Sequence, residues 1–271
     1  MPVLLKFCGE RNLYLDKHGA RVNVRKGQKV SWEDKYGNFH DLDFVIEKGG
    51  SAAKRGKPVA FIEAAWRRYT KHSRNKAQEI QGAVLPIAEK YEHDSPFLGA
   101  VLAGIFTKGS LDQLKSVGFH VVYLPYDTII DAFSAVGIEA KFDEATPDND
   151  FADCVADIEA LSAVERAKLK ARLLENNKAV FEDFFVALRA KLDRLIERVV
   201  VLPLFGDSST FGSIEDAEKF IAQFNLAKGT GDFHKFEVIV IFSNKDEVRG
   251  TFSTKERAQE FLRYLSANPD G

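Results

Sequence analysis

Hydrophobic and polar positions along the chain change period from segment to segment. Residues 41–46 alternate and read as a strand, whereas residues 58–65 are apolar almost throughout, which predicts a central strand buried on both faces. From 73 to 91 the period lengthens. Ala77, Ile80, Val84, Ile87, Ala88 and Tyr91 recur every three or four residues, the stripe of a helix packed on a core. Pro86 is expected to kink that helix or end it early. Residues 98–106 and 119–124 read as further buried strands, and 111–116 and 127–136 as helices, the last ended by Gly137. Upstream, 1–39 reads as short strands and turns, with 21–24 and 30–32 alternating. The order of elements predicts an α/β core: a mixed central sheet flanked by helices.

Residues 144–150 are polar, acidic and contain Pro147, and read as a linker that closes a core domain at 1–147. Residues 151–198 read as helical, with Phe181, Phe184, Phe185, Leu188 and Leu192 on one face. Residues 199–271 read as a small α/β domain with strands at 199–205 and 236–242 and helices at 215–224 and 255–265. The ten residues from Phe211 faintly echo those from Phe252, each reading as a strand end, a Ser or Thr cap and a helix, and two similarly capped helices are preferred to a duplication.

Composition narrows the function. The net charge of −2 excludes attraction of polyanions by the whole chain, so a nucleic-acid role needs a local basic patch. Twenty-two Phe against one Met predict a well-filled aromatic core, to which Trp32 and Trp66 are assigned. Cys8 and Cys154 lack metal-ligand spacing and are expected to be free thiols in a reducing compartment. No apolar run reaches the roughly 18 residues of a membrane helix, and no signal-peptide layout is present. A cytoplasmic protein is expected.

The chemistry concentrates between His40 and Gln81. Asp41 and Asp43 share one strand face, and Glu63 stands in the following apolar strand, where a buried acid must find a partner. Pairing those strands brings Asp43 to Glu63, a hard-oxygen pair suited to Mg²⁺, with Asp41 as a third candidate ligand. Lys76 begins the helical stripe, at the end that favours phosphate. Around it Arg67, Arg68, Lys71 and Arg74, with Lys54, Arg55 and Lys57 on the preceding loop, form a basic patch able to track a DNA backbone. His40 and His72 lack zinc-ligand spacing, Thr70 and Ser73 read as helix caps, and Gly49-Gly50 reads as a flexible turn.

These residues resemble the PD-(D/E)xK nuclease superfamily, and within it the type II restriction endonucleases, over residues 40–137. Asp43 matches the first acid, and Glu63 in Phe61-Ile-Glu-Ala-Ala65 the second. Ala65 departs from the family lysine. Lys76 fits members that move the lysine to the neighbouring helix, and Gln78 resembles a polar helix residue placed over the metal. The resemblance implies a restriction-endonuclease-like core and a Mg²⁺-dependent endonuclease that hydrolyses phosphodiester bonds of double-stranded DNA. Asp43, Glu63 and Lys76 would be catalytic, with Lys71 or Arg67 standing in should Lys76 not serve. It also implies a homodimer, for which 151–198 is the candidate interface. A catalytically inactive DNA-binding protein is the alternative that Ala65 keeps open, and a protein-interaction module in which acids pair with bases is a third.

Overall fold

A computed structural model describes residues 2–69, 73–143, 146–205, 209–228 and 232–267. The chain opens with a helix, α1 (Pro2–Glu10), where the pattern predicts strands and turns. Leu4, Phe7 and Cys8 lie at helical spacing and bury against the main sheet. β1 (Leu13–Lys17) follows, and residues 21–24 form a turn instead of a strand. Arg21 is the reason. Its guanidinium, 1% exposed, bonds Asp16, Glu47 and the carbonyls of Ser51 and Lys54. A side chain therefore holds this segment, and it also pins the Gly49-Gly50 loop that the sequence suggests is flexible.

The predicted strand at 41–46 is two strands. β2 (Val30–Glu33) and β3 (Phe39–Leu42) pair as a separate two-stranded sheet, β4 (Phe44–Lys48) joins the main one, and Asp43 is the bend between them. Next come β5 (Lys57–Arg67), α2 (Ser73–Lys90), β6 (Phe97–Gly104), α3 (Lys108–Ser116), β7 (His120–Pro125) and α4 (Tyr126–Ser134), in the expected order. Pro86 does not end α2. The carbonyl it deprives of an N–H belongs to exposed Gly82, where water can replace it.

The main sheet runs β1-β4-β5-β6-β7; the first three strands are antiparallel and the last three parallel. It is a mixed central sheet with helices on both faces. Val45, Phe61 and Leu102 pack with Ala77, Ile80 and Val84 of α2. Ile46, Ala60 and Ile62 face the other way, onto α1 and a later helix.

That later helix is the third of α5 (Asp148–Ala160), α6 (Ala163–Asn176) and α7 (Lys178–Leu192). Phe184 and Leu188 of α7 are buried under the sheet, with Phe181 and Phe185 beside them. The boundary expected at 151 therefore does not separate α7 from the core. The apolar stripe of α7, part of the segment 151–198 expected to form a dimer interface, is used within the chain.

The C-terminal unit comprises β8 (Ile196–Pro203), β9 (Ser209–Phe211), α8 (Ile214–Gln223), β10 (Phe236–Phe242), β11 (Glu247–Phe252) and α9 (Lys255–Ala267). β9 and β11, which end at Phe211 and Phe252 where the echoing segments read as strand ends, are the edges of an antiparallel sheet ordered β11-β10-β8-β9. The unit is thus two strand–strand–helix segments joined through β8 and β10. The echoing sequences occupy the same place in each. Ser213 Oγ accepts from the Asp216 N–H and Thr254 Oγ1 from the Arg257 N–H. The echo marks a topological repeat.

Buried Arg194 links this unit to the core. It bonds Asp246 at 2.9 Å and the Asp94 carbonyl at 2.7 Å, while Lys191 reaches Asp246 at 2.6 Å. Both cysteines are free and buried, and burial pushes the Cys8 thiol up to about 11. Among the described residues no helix is long and apolar enough to cross a membrane.

Candidate active site

β4 and β5 pair with Phe44 opposite Ile62, so one step further along the ladder Asp43 meets Glu63. Side chains close this last rung. The Asp43 N–H donates to Glu63 Oε1 at 3.1 Å, and the Ala64 N–H donates to Asp43 Oδ2 at 2.8 Å. Each acid thus has one oxygen fixed by the backbone of the other's strand. Asp43 Oδ1 and Glu63 Oε2 receive no hydrogen bond among the described residues.

Glu63 is 6% exposed, and no Lys or Arg lies within ion-pair distance of either acid among the described residues. Burial first, and then the Asp43 charge, push the Glu63 carboxyl up to about 7; the Asp43 N–H and the Lys76 charge pull against this. Lys76 therefore feels Glu63 from across the site. Its own salt bridge is to Glu79 one turn on, at 3.2 Å, and Arg67 approaches the same carboxylate at 3.7 Å. Sequence reasoning missed Glu79, although its three-residue spacing from Lys76 is the usual signal of a helical ion pair.

Ala65 lies two residues beyond Glu63 and packs at the edge of the α2-facing core. A lysine there would point to the same face. Lys76, on the first turns of α2, supplies the positive charge from the helix instead. The two free oxygens, one from each acid, are hard donors that suit a Mg²⁺ ion retaining several waters. Such an ion would also offset the burial and the Asp43 charge that together hold Glu63 partly protonated near neutral pH. The residues fit that metal.

Other expected members of the site lie elsewhere. Asp41 bonds Lys29 at 2.7 Å on the solvent side of the β2–β3 hairpin, because β3 leaves the main sheet. Among the described residues no three metal-ligating side chains gather, so Asp41 does not complete the pair. Gln78 is two residues from Lys76, about 200° around the helix. It lies in a shallow surface depression with Gln81 and Glu89, not over the acids.

Arg68 lies over the ring of Phe151 in α5 at 4.4 Å and donates to the Asp143 carbonyl. Arg74 is exposed, and Lys71 lies outside the described residues. Trp66, expected in the core, is 45% exposed at the same end of β5 and packs at a tilt against Tyr126. Exposed Lys54 with Arg55 and Lys57 sits at the other end of the strand. Six residues separate Lys57 from Glu63, about 20 Å. The basic patch is two patches.

No family model, curated protein or solved structure matches the chain.

Proposed function

We propose that the protein is a Mg²⁺-dependent endonuclease hydrolysing phosphodiester bonds of double-stranded DNA, on a restriction-endonuclease-like core of the PD-(D/E)xK kind. The observation that carries this reading is the reciprocal clasp of Asp43 and Glu63, two acids held together without a neutralising cation, facing Lys76. Structural acids in this chain behave differently. Asp16, Asp41 and Asp246 each sit on a lysine or arginine. That contrast argues against the interaction-module reading, in which acids and bases pair.

Asp43 and Glu63 would hold the metal through their free oxygens. A bound Mg²⁺ supplies charge neutralisation at phosphorus and lowers the pKa of a bound water. Lys76 places positive charge where negative charge develops on the phosphate, and Glu79 orients the Lys76 ammonium between turns of α2. Arg67 and Arg74 extend the cationic rim along a backbone. Cutting both strands takes either two such sites, one from each of a pair of copies, or two successive nicks by one. The surface that would pair two copies is not the apolar stripe of α7.

Ala65 favours a second reading, a DNA-binding protein that does not cut. Supercoiled plasmid incubated with Mg²⁺ or with EDTA, for wild type and Glu63→Ala, separates the two. Nicking that needs both Mg²⁺ and Glu63 supports the nuclease. Salt-dependent binding without nicking supports the alternative.

A further inference from the structure

At the opposite end of β5 from the acids, the core and the C-terminal unit enclose a cleft of about 980 Å³. Four cations line it: Arg55, Lys57, Lys90 and Arg257, against the two carboxylates Asp94 and Glu260. Asp94 is already neutralised, by Lys57 at 2.6 Å and by the Tyr264 hydroxyl. Lys90 is partly engaged by Glu33 at 3.4 Å. Arg257, exposed on α9, makes no ion pair among the described residues. The cleft has a net positive rim with at least one free guanidinium.

Its walls are aromatic. Phe252, Phe261 and Tyr264 come from the C-terminal unit, and Trp32 and Tyr91 from the core. Tyr264 is 40% exposed, leaving ring surface open. Two residues that line this space each carry a buried ring atom without a partner, the indole Nε1–H of Trp32 and Nδ1 of His93. Trp32 is 1% exposed, so an unmatched donor there carries the desolvation penalty of a lost hydrogen bond. Arg55 covers one face of the Trp32 ring at 4.5 Å.

We propose that this cleft binds a nucleotide: a base with polar edges against the aromatic walls, and its phosphate on Arg257 and Lys90. Stacking on aromatic side chains suits any base, and an exocyclic carbonyl or ring nitrogen supplies the acceptor that Trp32 lacks. A phosphorylated phenyl ring would satisfy the cations but not the indole. The site is distinct from the acid pair and stands whether or not that pair cuts DNA. Its occupant is either a free mononucleotide or a base displaced from a nucleic-acid strand.

Trp66→Phe leaves Trp32 as the sole indole and makes its fluorescence a reporter of the cleft. This protein is titrated with the four deoxynucleoside 5′-monophosphates, a single-stranded oligonucleotide, inorganic phosphate and phosphotyrosine. Saturable change with a mononucleotide assigns a free-ligand site; saturation with the oligonucleotide alone assigns a strand-derived base. In either case Arg257→Ala, an exposed change that spares the fold, weakens binding by about tenfold. Three results overturn the proposal: no response to any nucleotide at millimolar concentration, phosphate or phosphotyrosine binding as tightly, or affinity unchanged in Arg257→Ala.

Discussion

The two ends of β5 both place a buried carboxylate beside a lysine, and they resolve the charge in opposite ways. At the N-terminal end Asp94 contacts Lys57 directly, with a tyrosine hydroxyl added. At the C-terminal end Glu63 receives a backbone N–H, faces a second acid, and leaves Lys76 to bond Glu79. The first arrangement is complete by itself. The second lowers its energy only by taking up a proton or a cation, and the physical difference between a structural pair and a candidate site lies there.

The sharpest way to break this contrast is to remove an acid from each end. Glu63→Ala or Asp43→Asn is expected to lower plasmid nicking by about a thousandfold or more while the circular dichroism spectrum stays native. Asp94→Asn should leave nicking nearly unchanged. Equal losses at both ends would dissolve the distinction.

A next, smaller effect concerns stability. The Glu63 carboxyl in the folded chain sits near 7, above its unfolded value of 4.5, so the folded state holds the extra proton between these pH values. Stability without metal therefore falls as pH rises from about 4.5 to about 7, by up to about 3 kcal/mol. Glu63→Gln should remove that slope, unfolding at higher denaturant than wild type at pH 8 and at similar denaturant at pH 4. A wild-type profile flat across this window contradicts the buried, repelled carboxyl.

Lys76→Ala is expected to slow nicking by about a hundredfold. Ala65→Lys added to it should restore part of the rate, since residue 65 shares the face of Glu63. Failure of this rescue together with a mild effect of Lys76→Ala would mean that the helix lysine is not the relocated cation. The smallest effects are expected for Asp41→Asn and Gln78→Ala, each within about twofold of wild type, because neither side chain reaches the acid pair.

Much of this architecture was legible in the chain. The apolar run before Trp66 and the stripe from Ala77 to Ile87 specify β5 and α2 through burial alone, and the period-two rule places Asp43 across from Glu63. What escaped depends on contacts distant in sequence. Arg21 binds a loop 30 residues away and turns an alternating segment into a turn. β3 pairs with β2, which carries Asp41 out of the site although its spacing suits a ligand. Lys54, Arg55 and Lys57 are close to Glu63 in sequence, yet an extended strand carries them to the far end of the sheet. α1 does not show because nine residues at a terminus give a short pattern, and β9 and β11 show only as strand ends at Phe211 and Phe252 because edge strands carry little apolar signal.

Calorimetric titration with Mn²⁺ at pH 7 in two buffers of different ionisation heat tests most directly whether Asp43 and Glu63 together hold one divalent ion. With Glu63 near half protonation, saturation at one ion per chain accompanied by release of about half a proton is expected, both signals vanishing in Glu63→Gln. Absence of saturable binding, or binding that persists without proton release in Glu63→Gln, would contradict a shared ion.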